Sequence, residues 1–187
     1  MMRWDGLFAD LEAQADALEI AERAAEVEER ARVEVGRIRL LDRLRPAIGL
    51  PVRLRCLGGV TVAGLVRRVG PDWVLVDEGA DREALVSTAA VLSVSGLARL
   101  SAAPESESTV ESRLGLRHAL RGIARDRSAV RIGDRSGATV DGTIDRLGAD
   151  FIEVAEHAAG ESRRHADVRD VLVIPLAALA VIRRSPG

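Results

Sequence analysis

The 187-residue chain contains no lysine, no asparagine and no tyrosine, and it has one cysteine and four aromatic residues: Trp4, Phe8, Trp73 and Phe151. Each shortage excludes something. A lone cysteine, Cys56, cannot form an intramolecular disulfide, and no Cys/His spacing suggests a zinc site. Without lysine, all 27 cationic side chains are arginine, and against 29 carboxylates they leave a formal net charge of −2. That balance rules out a strongly basic nucleic-acid coat and a polyacidic tail. Long apolar runs are missing too. The longest, residues 171–182, is broken by Pro175 and falls short of the roughly 20 residues a membrane span needs. The start, Met1-Met2-Arg3-Trp4-Asp5, lacks the apolar core of a signal peptide, so a cytoplasmic, reducing location is the default expectation.

What is present is a globular composition, 47% hydrophobic and 30% charged. Heavy use of Ala, Val, Gly and Arg reads as the codon bias of a high-GC genome. The charge is segregated along the chain. Residues 1–29 carry nine acids and two arginines, whereas 30–45 carry six arginines and two acids. Acid at the start and base at the end complement a helix macrodipole. Within residues 1–45 the apolar positions Trp4, Leu7, Phe8, Leu11, Ala15 and Leu18, then Ala24, Val27, Ala31, Val35, Ile38 and Leu41, step by three and four. The spacing predicts one long amphipathic helix, too long for a small domain to cover. Its alanine-rich middle makes a coiled-coil seam possible but weaker than a leucine zipper. Self-association or a protein partner is expected there, with Trp4, Phe8, Leu11 and Leu18 as interface residues.

After Pro46 the pattern becomes short and β-rich. Val52-Arg53-Leu54-Arg55-Cys56 alternates with period two, Gly58-Gly59 marks a turn, and Gly64 interrupts the next run where a strand would bend. The block then recurs. Shifting the chain by 78 lays residues 52–78 over 130–156 with 11 of 27 positions identical, among them Gly59/Gly137, Gly64/Gly142, Gly70/Gly148 and Asp72/Asp150. Thr88-Ala89-Ala90-Val91 matches Leu176-Ala177-Ala178-Leu179 at a shift of 88, so the second copy holds a ten-residue insertion around 158–167. The expected fold is mainly β with α: two homologous five-stranded small β-barrels, at 46–100 and 128–187. A helix over 1–45 precedes them, and a linker (101–109) plus an arginine-rich helix (110–127) separates them.

The motif Val52-x-Leu54-x-x-x-Gly58-Gly59-x-x-x-x-Gly64-x-Val66 and its second copy resemble the first strands of Sm-like and SH3-like barrels. The resemblance covers about 100 residues and implies architecture only. Sm-like proteins bind RNA through a loop asparagine and an aromatic, and this chain has no asparagine to supply. SH3 domains need an aromatic-lined groove, and one aromatic per unit is too few. The whole chain also resembles a family of proteins from high-GC Gram-positive (actinobacterial) bacteria, which implies no chemistry at particular residues.

Three sets of residues stand out. Arg113, Arg117, Arg121 and Arg125 recur at steps of four beside Leu116, Leu120 and Ile123, a row that could meet successive phosphates of RNA or DNA or lie on a solvated face. No aromatic accompanies the row to stack a base. Trp73 and Phe151 occupy equivalent places. If Ile152 and Val154 face the core beside an outward Glu153, then Trp73 and Leu75 point outward and need a cover, so both aromatics are read as interface residues. Catalytic readings are poor. Cys56 falls on an inward strand position, and His118, His157 and His165 are scattered over a helix and a surface loop. No glycine-rich loop opens a helix. An interaction or scaffold protein without enzyme activity, metal or cofactor is the expectation, with nucleic-acid binding as the alternative.

Overall fold

The structure, a computed structural model, describes residues 3–102, 114–158 and 169–184, and within the first helix the side chains at 14, 18, 19 and 22–37. It divides into two compact units, residues 1–39 and 40–187.

The first unit is helix α1, Arg3–Arg37. Its alanine, leucine, glutamate and arginine content favours helix, and glutamates sit one turn ahead of arginines. Arg23 reaches Glu19 and Arg30 reaches Glu26, each at 2.6 Å, while Arg32 lies 3.8 Å from Glu28. Such exposed pairs add about 0.2–0.5 kcal/mol each. The expectation of a single helix running to residue 45 is corrected. The helix ends at Arg37, and helix α2 (Leu40–Leu44) begins after a break and runs into a 3-10 turn, Arg45–Ala47. The reason lies in packing. Leu41, Leu44 and Ala47 are buried in the core of the second unit, whereas the described side chains of α1 are exposed.

The second unit is built on ten strands: β1 Pro51–Cys56, β2 Thr61–Val69, β3 Trp73–Gly79, β4 Arg82–Ser87, β5 Val91–Ser95, β6 Ala129–Asp134, β7 Thr139–Leu147, β8 Phe151–Glu156, β9 Asp170–Pro175 and β10 Leu179–Arg184. Helix α3, Leu116–Asp126, precedes β6. All ten belong to one antiparallel sheet in the order β5-β1-β2-β3-β4-β10-β6-β7-β8-β9. The expected pair of separate five-stranded barrels is therefore corrected to one continuous, open sheet. The join is β4 against β10, with Val86, Leu85 and Ala84 opposite Val181, Ile182 and Arg183. Standing apart, each strand would present a row of unpaired N–H and C=O groups, and pairing removes both rows.

Each half runs the same ladder. Val52 pairs with Gly64 and Val130 with Gly142; Trp73 pairs with Ser87 and Phe151 with Pro175. The second strand of each half slips register at the same place, between Val66 and Arg68 in β2 and between Ile144 and Arg146 in β7. A bulge there sharpens the bend. Gly64 and Gly142 sit where the neighbouring strand passes close: a Cβ would fall 1.9 Å from the Asp77 carbonyl oxygen at the first and 2.4 Å from that of Ala155 at the second. No larger residue fits.

Two cores result. One gathers Leu44, Leu54, Val62, Val66, Val74 and Val76 from the first half, with Ala180 and Val181 of β10. The other gathers Leu120, Ile132, Ile144, Ile152 and Val154 around α3, with Trp73 and Leu85 contributed by the first half. The junction strands thus send side chains into both cores.

Candidate functional site

Helix α3 is fixed from both sides. Its Leu116 N–H donates to Asp72 Oδ1 at 2.6 Å, so a side chain in the β2–β3 turn caps a helix 44 residues away. Trp73 Nε1 donates to the Leu114 carbonyl at 2.7 Å. Leu116 and Leu120 are buried against Val130, Ile132 and Ile144, and Arg127 closes the helix in the left-handed conformation with φ 50°. The helix therefore clasps the two halves across their junction.

That clasp is the cover which an outward Trp73 needs. Trp73 is only 8% exposed and shares a cluster with Leu85 and Leu120, while Val74 and Val76 face the other core. Phe151 takes the equivalent strand position but stays half-buried. A glycine lies under each ring: a Cβ on Gly70 would stand 2.2 Å from the Trp73 indole, and one on Gly148 2.4 Å from the Phe151 ring. Beside Trp73 a cleft of about 370 Å³ opens between the sheet and α3, walled by Trp73, Leu75, Leu85, Ala119, Ile123 and Ile182. Arg68, Glu83, His118, Asp126 and Arg184 rim it, with both signs of charge. The alternation of β3 signals the outward Trp-Leu pair, but the cleft needs three segments far apart in the chain, and no local pattern announces it.

The arginine row is only partly a free surface. Arg113 lies outside the described residues, and α3 starts at Leu116, after Gly115, and not near residue 110 as expected. Arg117, Arg121 and Arg125 are exposed. Arg117 donates Nε to the Gly148 carbonyl at 2.7 Å, which ties α3 to the β7–β8 turn. Among the described residues no hydrogen bond or ion pair engages Arg121 or Arg125. Asp126, the one acid of α3, is taken by Arg184 at 3.0 Å.

Of the residues expected on the N-terminal interface, Leu18 is exposed, and the side chains of Trp4, Phe8 and Leu11 lie outside the described residues. Every described side chain from 22 to 37 is exposed, including Val27 and Val35 at about two-thirds.

Cys56 and His157 are both buried. Cys56 belongs to the first core; burial pushes its thiol up, against a weaker opposing pull from Arg183. A raised thiol holds little thiolate at neutral pH, so it is a poor nucleophile. His157 was expected in a surface loop and is instead buried, at 2% exposure. Its Nδ1 donates to the Ala158 carbonyl at 3.0 Å, and its Nε2 is hydrogen-bonded to the Thr143 hydroxyl at 2.9 Å. His118 is exposed, and His165 lies outside the described residues. Among the described residues no group of three His, Cys, Asp or Glu could hold a metal ion, and no helix is long and apolar enough to cross a membrane. No known protein family profile matches the chain, and no curated protein matches it significantly.

Proposed function

We infer that the chain is a non-enzymatic interaction protein that self-associates through its N-terminal helix, and that the two halves of its sheet are copies of one small β unit. The observation that carries the first part is the apolar row Ala24, Val27, Ala31 and Val35 of α1. These residues step by three and four along the helix and all are exposed. A helix whose apolar side chains have no cover gains stability by burying them against another helix. Identical ladders, register slips and glycine placements support the second part. A reading through RNA or DNA is favoured by the exposure of Arg117, Arg121 and Arg125 on one helix. It is the lesser reading, because Arg117 already serves Gly148 and no aromatic stands beside the row.

One set of sedimentation runs separates the two. The native chain should sediment above the mass of a single chain, and Val27→Glu with Val35→Glu should lower that mass. An unchanged mass in the double variant would overturn self-association through the helix. Adding single-stranded RNA or duplex DNA across a salt series tests the lesser reading. Binding that weakens with salt and with Arg121→Gln and Arg125→Gln would favour it, and no binding would remove it.

A further inference from the structure

The two ends of the sheet are not alike. β9 closes one end and β5 the other, and among the described residues neither pairs with anything beyond its one neighbour. Within its half each holds the place of a junction strand. β9 lies against β8 as β4 lies against β3, and β5 lies against β1 as β10 lies against β6. The registers agree: Val74↔Val86 matches Ile152↔Ile174, and Leu54↔Val94 matches Ile132↔Ile182. The inner β4–β10 junction therefore joins an edge of one type to an edge of the other type. The sheet ends in one free edge of each type.

The free edges carry the apolar residues that such a junction covers. Leu85 of β4 is 5% exposed at the junction, while Val173, in the same place on β9, is 61% exposed, and Val171 beside it is exposed as well. Ala180 of β10 is 1% exposed, and Leu92, its counterpart on β5, is 60% exposed. Edge strands that remain unpaired are ordinarily guarded by charges, bulges or proline. Val91–Ser95 contains no charged residue, and its one bulge, at Leu92, has its match at Ala180 of β10, which pairs at the junction all the same. β9 has only Asp170 at its start and Pro175 at its end, and Pro175 falls one position beyond the three residues that pair at the junction.

We propose that β9 of one chain pairs antiparallel with β5 of a second copy, with Ile174 opposite Ser93, Val173 opposite Val94 and Leu172 opposite Ser95, so that chains join head to tail. The proposal rests on reading the two halves as copies of one unit. A junction between unlike edges regenerates the same two edges at the ends of every assembly, so nothing but another copy is needed to extend it. The contact between chains is weaker than the inner one for an identifiable reason. At the inner junction Arg183 donates to both carboxylate oxygens of Glu78, at 2.7 and 3.1 Å. Between chains Glu156 stands in the place of Glu78, but Ser95 stands in the place of Arg183, and that ion pair is missing.

The test uses two full-length chains, one with Val173→Cys and one with Val94→Cys, mixed under mild oxidation. Residues directly opposite in an antiparallel pair have Cβ atoms about 4.5–5.5 Å apart, close enough for a disulfide after small adjustment. Native Cys56 is buried in each. The expected result is a disulfide-linked dimer, twice the mass on a non-reducing gel, in the mixture and in neither variant alone. Because Val94 packs against the first core, a second pair, Ile174→Cys with Ser93→Cys, guards against a variant that fails to fold. No cross-link with either pair, or a cross-link within one variant alone, would overturn the proposal. Association through α1 is read independently: the double glutamate variant lowers the sedimented mass, and if only the edge pairing holds, the cross-link survives where the helix substitutions change nothing.

Discussion

The two halves of the sheet pair their strands in one register and yet bury different things. Leu85 and Trp73, on the outer face of the first half, lie beneath α3 and beside Ile182, whereas Val173 and Phe151, at the matching places of the second half, have no such cover among the described residues. The backbone ladder and its glycines set the curvature of each half. What the outer face becomes is decided by the neighbour, which here is α3 on one side and nothing described on the other. A position in a repeated sheet thus has an energetic meaning only together with what packs on it, and the sharpest tests change matched residues in the two halves.

The largest difference should come from Leu85→Ala against Val173→Ala. The first opens a cavity between two packed elements and should cost about 2–5 kcal/mol. The second trims an exposed side chain and should change stability by less than about 0.5 kcal/mol. Urea unfolding at chain concentrations too low for association measures both. Equal effects would mean that the outer face of the first half is not under α3 in solution. A smaller contrast should separate Asp72→Ala from Asp150→Ala. Both aspartates accept a backbone bond through their carbonyls, from Thr88 and from Leu176, but only the Asp72 side chain caps a helix. Its loss should cost about 1 kcal/mol, and the loss at Asp150 less than half of that.

Much of this contrast follows from the sequence, and part of it does not. Alternation alone puts Val74, Val76, Ile152 and Val154 inward, and the shift of 78 places the bend glycines and the outward aromatics. Those features are local, with a period of two or a glycine at a fixed offset. The β4–β10 junction leaves no local mark, because residues 82–87 read as the same kind of strand whether the sheet ends there or continues. The end of α1 at Arg37 is hidden for a related reason. The helical spacing of Val35, Ile38 and Leu41 continues across the break, and only the core that takes Leu41 and Leu44 sets α2 apart from α1. Asp72 as a cap for Leu116 joins residues 44 apart, beyond any capping motif that spacing could reveal. His157 reads as part of an inserted loop until the structure pairs it with Thr143.

The smallest effect concerns acid. Among the described residues each half holds one carboxylate below its ordinary value of 3.8, at places that do not correspond. In the first half Asp77 accepts from the Gly79 N–H at 2.8 Å and then from Arg67 Nε at 3.0 Å. The matching residue of the second half is Ala155, which can do neither. In the second half Asp134 Oδ1 accepts first from the Ser136 hydroxyl at 2.7 Å, then from the N–H groups of Ser136, Gly137 and Ala138, in the turn after β6. Its counterpart is the buried Cys56. A carboxyl whose folded value lies below its unfolded one stabilises the fold while ionised. That contribution is complete above the unfolded value and is lost as the pH falls through the folded one. Stability should therefore hold down to about pH 4 and decline below it. Asp134→Ala should flatten the decline by removing the second half's share, and Asp77→Ala by removing the first half's. Thermal melts from pH 6 to pH 2 read this directly. An acid limb unchanged by either substitution would show that the carboxylates of the two halves do not set it.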